Sequence, residues 1–453
     1  MIETNLSFCE NDLKETYFAV CGGKDIFVKH IFTEKQNKVV NTVVVGGKAY
    51  AYGNLIACGE DDAGKKKLVK RYAKLSLYKA LAAFTDNNLP WGALTGVRPT
   101  KLAYDEIEKT GDFAEFFTDV MKVSPEKTQL IKEIVENQKG VYKKDAGDDF
   151  FVFIPFCPSR CNYCSFITHD LKNSAKYVDA YLDCLFKEIE SAKKLIKNIR
   201  SVYVGGGTPV SIEDGALDEL LSLICGYGTE FTVEAGRPDR ITESNLSVMK
   251  RRGVNRICIN PQTFNDKTLK RIGRNHTAKD VIEKYELAKN DFSVNMDLIA
   301  GLDGETFDDF KYSIDKAINL SPDGITVHTL SVKAGAALSE SGKFRPTGDI
   351  EKMVNYAHKI LAENGYKPYY LYRQKYMTGG FENTGYAKEG KFSVYNIDTM
   401  EEIGNNIACG AGAVSKSVDN ANNKIVRYGA PKDIKTYIEK IDAIIREKAE
   451  IFG

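Results

Sequence analysis

Cys157, Cys161 and Cys164 stand close together in the stretch Cys157-Pro-Ser-Arg-Cys161-Asn-Tyr-Cys164. Thiolates at this spacing can hold three irons of a cubane [4Fe-4S] cluster and leave the fourth iron open to another ligand. A ferredoxin adds a fourth nearby thiolate, usually followed by proline, and a structural zinc site normally offers four ligands, often as two separated pairs. Neither pattern is present, so the spacing points to chemistry at an open iron rather than to electron storage. Unligated buried thiols and a zinc knuckle are the competing readings. A second stretch, Val202-Tyr-Val-Gly205-Gly206-Gly207-Thr208-Pro209, ends in three glycines. Glycines adopt positive φ and let a ligand come close to the backbone.

Strands must carry both stretches. Phe150-Phe-Val-Phe-Ile-Pro-Phe156 is aromatic and β-branched and closes on a proline, so it reads as a short buried strand with the cysteines in the loop that leaves it. Further strands are expected at 200–204, 230–234, 256–260, 293–299 and 325–330, with helical periodicity between them, as at Tyr177, Tyr181, Leu182, Leu185 and Ile189. Strand and helix alternating at steps of about 30 residues mean βα units, a parallel sheet and an α/β fold class. Six such units fit a partial (β/α) barrel, whose active groups gather at the C-terminal ends of the strands.

The pattern differs on either side of this core. Residues 1–146 read as an N-terminal α+β domain. It has strands at Asp25–Phe32 and Val39–Val45, a Gly46-Gly47 hairpin turn into Ala49–Tyr52, and helices at about 65–84, 113–122 and 125–137. Residues 147–340 form the barrel domain, and 341–453 form a C-terminal α+β region expected to cover the substrate. Two cation-bearing segments lie outside the core. Trp91-Gly-Ala-Leu-Thr-Gly-Val-Arg98-Pro-Thr-Lys101 holds the sole tryptophan; Arg98 and Lys101 suit carboxylate recognition, but a turn followed by a helix cap with solvated charges is the more ordinary reading. Tyr366 to Tyr376 contains Tyr369, Tyr370, Tyr372, Arg373 and Lys375; the alternative there is a strand with one face in the core and one in solvent.

The chain has 453 residues, 43% of them apolar, and a net charge of +1. That length calls for two or three domains. The charge balance gives no electrostatic case for a nucleic acid or a membrane surface. The start Met1-Ile-Glu-Thr-Asn lacks a basic segment followed by an apolar run, and no apolar stretch approaches the ~18 residues of a membrane span. Ten cysteines without a secretory context suggest a reducing, cytoplasmic setting rather than a disulfide framework. Cys9, Cys21, Cys58, Cys184, Cys225, Cys258 and Cys409 are scattered and read as ordinary thiols. His169 and His276 lie near the motifs, where lone histidines are more often structural than ligands.

The cysteine spacing after a first strand, followed by Gly205-Gly206-Gly207, resembles the radical S-adenosylmethionine (SAM) superfamily. Phe153-Ile-Pro-Phe-Cys157, Gly205-Gly-Gly-Thr-Pro209, Gln262-Thr-Phe-Asn265, Met296-Asp297-Leu-Ile-Ala-Gly-Leu302 and the Gly410-Ala-Gly-Ala413 turn resemble the oxygen-independent coproporphyrinogen III oxidase family over residues 150–416. Glu234-Ala-Gly-Arg-Pro238, Ile259-Asn-Pro-Gln262, Ile272-Gly-Arg-Asn-His-Thr277 and Thr95-Gly-Val-Arg-Pro-Thr-Lys101 are most similar to its HemZ branch.

The resemblance implies that Cys157, Cys161 and Cys164 hold the cluster and that its open iron chelates SAM through amino and carboxylate groups. Tyr163 would lie beside the adenine. Gly206, Gly207 and Thr208 would meet the methionine end of SAM. Glu234 would bind its amino end or ribose, Gln262 would be a polar contact, Arg274 would meet the carboxylate or ribose, and Asp297 the ribose. Phe151 and Leu330 would touch SAM through backbone or van der Waals contact. The implied reaction is one-electron cleavage of SAM, hydrogen abstraction from propionate side chains of coproporphyrinogen III, and loss of CO2 to leave vinyl groups. The electron would come from a protein such as flavodoxin or ferredoxin. The sequence departs from the oxidases at Phe166, where they usually carry a further cysteine and the related haem-chaperone branch does not. The first domain also replaces the oxidases' short N-terminal arm. Besides the decarboxylase, the implied functions therefore include a haem-binding chaperone and another tetrapyrrole-acting radical SAM enzyme.

Overall fold

The computed structural model describes residues 1–22, 24–56, 62–94, 98–164, 168–331, 349–374 and 380–453. The chain divides into two compact units, residues 1–132 with 372–382, and residues 133–371 with 383–453. The first division thus falls ahead of the polar 145–149 linker, and 372–382 goes with the N-terminal unit.

The first unit is a sheet with helices. Strands β1 (Ile2–Thr4), β2 (Val28–Lys35), β3 (Lys38–Val45) and β4 (Lys48–Leu55) lie in that order, β1 parallel to β2 and the rest antiparallel. The β3–β4 turn is Gly46-Gly47 with φ +55° and +76°, the two positive values that a tight hairpin needs. The helices are α1 (Glu10–Cys21), α2 (Asp62–Thr85), α3 (Pro99–Thr110) and α4 (Pro125–Asn137), the last carrying the chain into the second unit. α3 starts on a proline, whose missing N–H costs nothing at a first helical position. The helix expected over 113–122 is present as a short one over residues 114–120, wound wide from Phe116 to Val120. Met121 N–H bonds five residues back to Phe116, and Lys122 at φ +60° ends the turn.

The second unit holds the expected βα alternation. Its strands are β5 (Asp148–Ile154), the short β6 (Phe156–Cys157) and β7 (His169–Asp170), β8 (Ile199–Gly206), β9 (Glu230–Gly236), β10 (Arg256–Ile259), β11 (Ser293–Ala300), β12 (Gly324–Thr329), β13 (Lys367–Tyr372), β14 (Asn383–Ala387), β15 (Asn406–Cys409), β16 (Val414–Asp419) and β17 (Lys424–Gly429). Between them run α5 (Leu171–Ser174), α6 (Val178–Ala192), α7 (Asp214–Ile224), α8 (Glu243–Arg251), α9 (Asp266–Arg271), α10 (Ala278–Ala288), α11 (Phe307–Leu320), α12 (Ile350–Glu363), α13 (Val394–Glu401), α14 (Ile434–Glu439) and α15 (Ile441–Phe452).

One large sheet has the order β13-β14-β12-β11-β10-β9-β8-β5-β15-β16-β17. From β12 to β15 every pairing is parallel. β14 runs antiparallel to β12, and β16 and β17 form an antiparallel hairpin beyond β15. The six strands expected from sequence are β5, β8, β9, β10, β11 and β12. β15 adds a parallel neighbour on the far side of β5 that the sequence reading did not foresee.

Parallel strands covered on both faces read as continuous apolar runs, which explains the composition of β5. Phe150, Val152 and Ile154 are fully buried, while Phe151 and Phe153 take the opposite, half-buried face. Thr242, Thr277 and Thr306 open α8, α10 and α11 with reciprocal capping bonds to Asn245, Asp280 and Asp309. α14 and α15 close over α6 through buried apolar side chains, the Tyr181–Tyr437 ring contact and one buried ion pair. Lys448, fully buried on α15, pairs with Glu188 of α6, which also accepts from Tyr437 Oη at 2.5 Å and Gly410 N at 2.8 Å.

Candidate functional site

The cysteine loop is pinched at its base and pinned at its middle. β6 and β7 pair Phe156 with His169 and Cys157 with Asp170, so Cys157 sits where the loop opens. Beside it, Gly207 N donates to Ile154 O and Thr208 N to Phe156 O, both at 2.8 Å, and Thr208 Oγ1 lies 3.6 Å from Cys157 Sγ. Further along, Asn162 N donates to Ile272 O at 3.0 Å and Asn162 Nδ2 to Arg271 O at 2.9 Å. The turn after α9 therefore holds the loop. Burial pushes the Cys157 thiol up, against hydroxyl donation from Thr208 and Thr168, so metal binding there must displace a proton.

All three cysteines are free thiols. Among the described residues no three His, Cys, Asp or Glu side chains already converge in metal-binding geometry. The loop thus supplies three sulfur donors on one short segment without closing them on a point. Three soft sulfur ligands suit iron–sulfur chemistry.

Next to the loop, the glycine turn is packed so closely by the protein itself that no side chain fits at Gly206 or Gly207. Gly206 has φ +109°, and a Cβ there would lie 2.7 Å from the Phe153 ring; on Gly207 it would lie 2.5 Å from the Phe156 carbonyl oxygen. Glu234, near the end of β9, takes Gly206 N on one carboxylate oxygen at 3.2 Å and Tyr203 Oη on the other at 2.5 Å. Burial pushes its carboxyl up, and these two donors oppose the shift.

On β11, Asp297 accepts from Asn295 Nδ2 at 2.8 Å and lies 3.6 Å from His328 Nε2 of β12; its backbone N–H donates to Asn260 Oδ1 at 3.3 Å. Gln262 continues this edge beyond β10. It bridges to β11 through Gln262 N to Asp297 O at 2.9 Å and Ile299 N to Gln262 O at 3.0 Å, with φ +66°. A glutamine in the left-handed region is strained, and its buried Oε1 has no donor among the described residues. Arg274, also buried, donates through Nε to Tyr163 Oη at 3.3 Å while its Nη1 is unpartnered. Tyr163 packs on Leu269, Ile272, Ile299, Leu302 and Leu330. Leu330 N is held by Ala300 O at 3.0 Å.

Phe151 takes part through neighbours. Its ring lies 6.1 Å from Phe153 and 6.1 Å from Tyr203, and stacks on Tyr395 at 6.0 Å. Most of the residues singled out from sequence are thus linked, pair by pair, along the strand ends of one sheet. Tyr203, Arg237, Asn260 and His328 join them without having been foreseen. Tyr203 is two positions before Gly205 on β8, so strand alternation places that pair on one face. Arg237 stood inside a quoted motif but carried no role. His276 is buried, and burial together with Arg274 pushes it down to about 4, so its ring is neutral near pH 7.

The groups expected at a substrate rim have partners of their own. Arg373 belongs to the first unit. There it donates to the Leu94 carbonyl oxygen and to Gly380 O at 2.6 Å, with its guanidinium 5.3 Å above the Trp91 ring. Trp91 is fully buried and donates to Glu382, which also pairs with Lys127 at 2.6 Å. Tyr369 and Tyr370 are core side chains: β13 is buried from Pro368 to Leu371 rather than on one face only. Arg98 is the N-terminal cap residue of α3. Phe166 and Lys375, with Thr95 to Val97, lie outside the described residues.

A cysteine loop at the mouth of a parallel-stranded sheet, beside a glycine cradle and strand-end carboxylates, defines a radical SAM fold. The radical SAM superfamily profile matches residues 151–317. The solved structure of the radical SAM enzyme coproporphyrinogen III oxidase (HemN) of Escherichia coli superposes with TM-score 0.53 at 19% identity, over 71% of this chain and 73% of that one, a likeness of fold. The oxygen-independent coproporphyrinogen-III oxidase-like protein HemZ of Bacillus subtilis is 37% identical over 405 residues, covering 84% of this chain and 81% of HemZ. The haem chaperone HemW of Bacillus subtilis is 34% identical over 193 residues, 40% of this chain and 50% of HemW. The chain therefore belongs to the radical SAM proteins of the coproporphyrinogen oxidase family, in its HemZ-like branch. The cofactors of radical SAM proteins are a [4Fe-4S] cluster and SAM, and the donor set and the unpartnered Gln262 and Arg274 atoms fit them.

Proposed function

We propose that this chain is an oxygen-independent coproporphyrinogen III decarboxylase acting in haem biosynthesis. The observation that carries the reading is the 37% identity to a coproporphyrinogen-III oxidase-like relative across 84% of the chain. In this reading Cys157, Cys161 and Cys164 hold the cluster. Gly206, Gly207, Thr208, Glu234, Gln262, Arg274 and Asp297 seat SAM, and Phe151, Tyr163 and Leu330 form its apolar contacts. When bound, the two cofactors supply a hydrogen-abstracting carbon radical. The protein's share is to orient and to exclude water. Glu234, held by Tyr203 and Gly206, is fixed to accept an ammonium group. Asp297, oriented by Asn295, is fixed to accept hydroxyls. Arg274 Nη1 offers a donor in a dry setting, where a charged hydrogen bond is strong. The reading includes a cytoplasmic setting and a flavodoxin- or ferredoxin-type electron donor.

A second reading, a haem chaperone that keeps the cofactors without decarboxylating, is favoured by the similarity to HemW and by Phe166 at the position of the oxidases' further cysteine. Anaerobic incubation with reductant, SAM and coproporphyrinogen III, followed by mass analysis, separates them. Protoporphyrinogen IX, formed through a one-vinyl intermediate, supports the decarboxylase. Unchanged coproporphyrinogen together with stoichiometric haem binding contradicts it.

A further inference from the structure

Behind the cysteine loop a guanidinium is buried where no assigned role uses it. Arg237 is 4% exposed. Its Nε and Nη2 form a fork on Asp239, 2.9 Å to each carboxylate oxygen. Its Nη1 is turned to the loop, 3.1 Å from Ser159 Oγ, 3.3 Å from Ser159 O and 3.7 Å from Cys161 Sγ. Arg237 therefore touches the middle cysteine and the residue two before it with one nitrogen, while a carboxylate fixes the other two.

Local structure enforces this aim. Gly236 at φ +61° ends β9, Arg237 N closes a tight turn on Ala235 O at 2.6 Å, and Pro238 starts a short 3-10 turn. The turn sets Arg237 at the strand end beside the loop, and the fork on Asp239 holds its guanidinium there. An N–H donated to a cluster sulfur stabilises the more negative, reduced state more than the oxidised one, and so raises the potential. Burial strengthens the effect because little water screens it.

We propose that Arg237 is a positioning residue that sets the reduction potential of the cluster through Cys161 and holds the Ser159 segment in place for it. The step it biases is simple: one electron enters from an external reductant, the cluster charge falls by one, and no proton moves. The inference rests on Cys161 being a cluster ligand, so iron and sulfide content are measured first, and failure of that assignment shows there.

The test is a dye-mediated redox titration of anaerobically reconstituted protein, followed by electron paramagnetic resonance. At the wild-type midpoint potential, Arg237→Gln lowers the ratio of reduced to oxidised cluster about tenfold, a shift of 59 mV for one electron. Arg237→Lys, which keeps the charge and loses the fork, lowers it less. Asp239→Asn, which removes the counter-charge and leaves the guanidinium, raises the ratio. An Arg237→Gln protein with full iron content and the wild-type midpoint overturns the proposal. Should that variant hold no iron, the Asp239→Asn titration decides alone: a rise supports the proposal, and no change or a fall overturns it.

Discussion

A buried thiol is a poor metal ligand until it loses its proton, and the three cysteines differ in what surrounds them. Cys161 is the most enclosed, with Arg237 on its sulfur. Its neighbours hold the loop without it: β6–β7 at the base and Asn162 on the α9 turn. Cys161→Ala should therefore lose the cluster while keeping the native circular dichroism spectrum. A variant that still assembles about four irons would contradict the ligand assignment. In the proposed reading Asp297 and Glu234 meet SAM through charge, so replacing either by alanine should cost about 1–3 kcal/mol of SAM affinity by equilibrium dialysis, with iron content unchanged. Unaltered affinity in both would detach the strand ends from SAM. The cysteines stood out in the sequence by their spacing, while Glu234 and Asp297 were singled out through the family resemblance. Arg237 was not, because its meaning lies in a sulfur 76 residues back along the chain.

At the scale of elements, the apolar strand runs and threonine caps were readable because they are local. The C-terminal closure was not, because it turns on partners far apart in the chain, Glu188 of α6 with Tyr437 and Lys448. Lys448→Met leaves Glu188 buried with its cationic partner gone, and should destabilise the protein by about 3–5 kcal/mol in a urea titration. An unchanged midpoint would mean that the pair contributes little. Another buried carboxylate joins the segments after β10 and β11. Glu305 accepts from Thr263 Oγ1 at 2.6 Å, and burial pushes it up from 4.5 to about 7. The folded state thus holds this proton more tightly than the unfolded state. Its contribution is full below about pH 4.5 and is lost as pH rises through about 7. The always-neutral Glu305→Gln should gain on wild type across that window, by up to about 3 kcal/mol. A stability difference that does not vary between these pH values would contradict it.

For the whole molecule, the parallel-stranded core was predictable and the placing of the cation-bearing segments was not. Arg373 stood in an aromatic run that suits a tetrapyrrole rim. Its carbonyl partner at Leu94 lies 279 residues away, beyond the reach of any local pattern. The first unit instead spends Arg373, Trp91, Lys127 and Glu382 on its own packing. Arg373→Ala should accordingly lower the stability of the protein and leave the KM for coproporphyrinogen unchanged; a selective rise in KM would return it to the substrate. Substrate identity rests on the family relationship, and it is tested most directly by following the abstracted hydrogen. Coproporphyrinogen III deuterated on its propionate side chains is incubated anaerobically with reconstituted protein, reductant and SAM. The account predicts 5′-deoxyadenosine carrying deuterium, formed together with vinyl product and absent with Cys161→Ala. Deuterium-free 5′-deoxyadenosine with the porphyrinogen intact would contradict it.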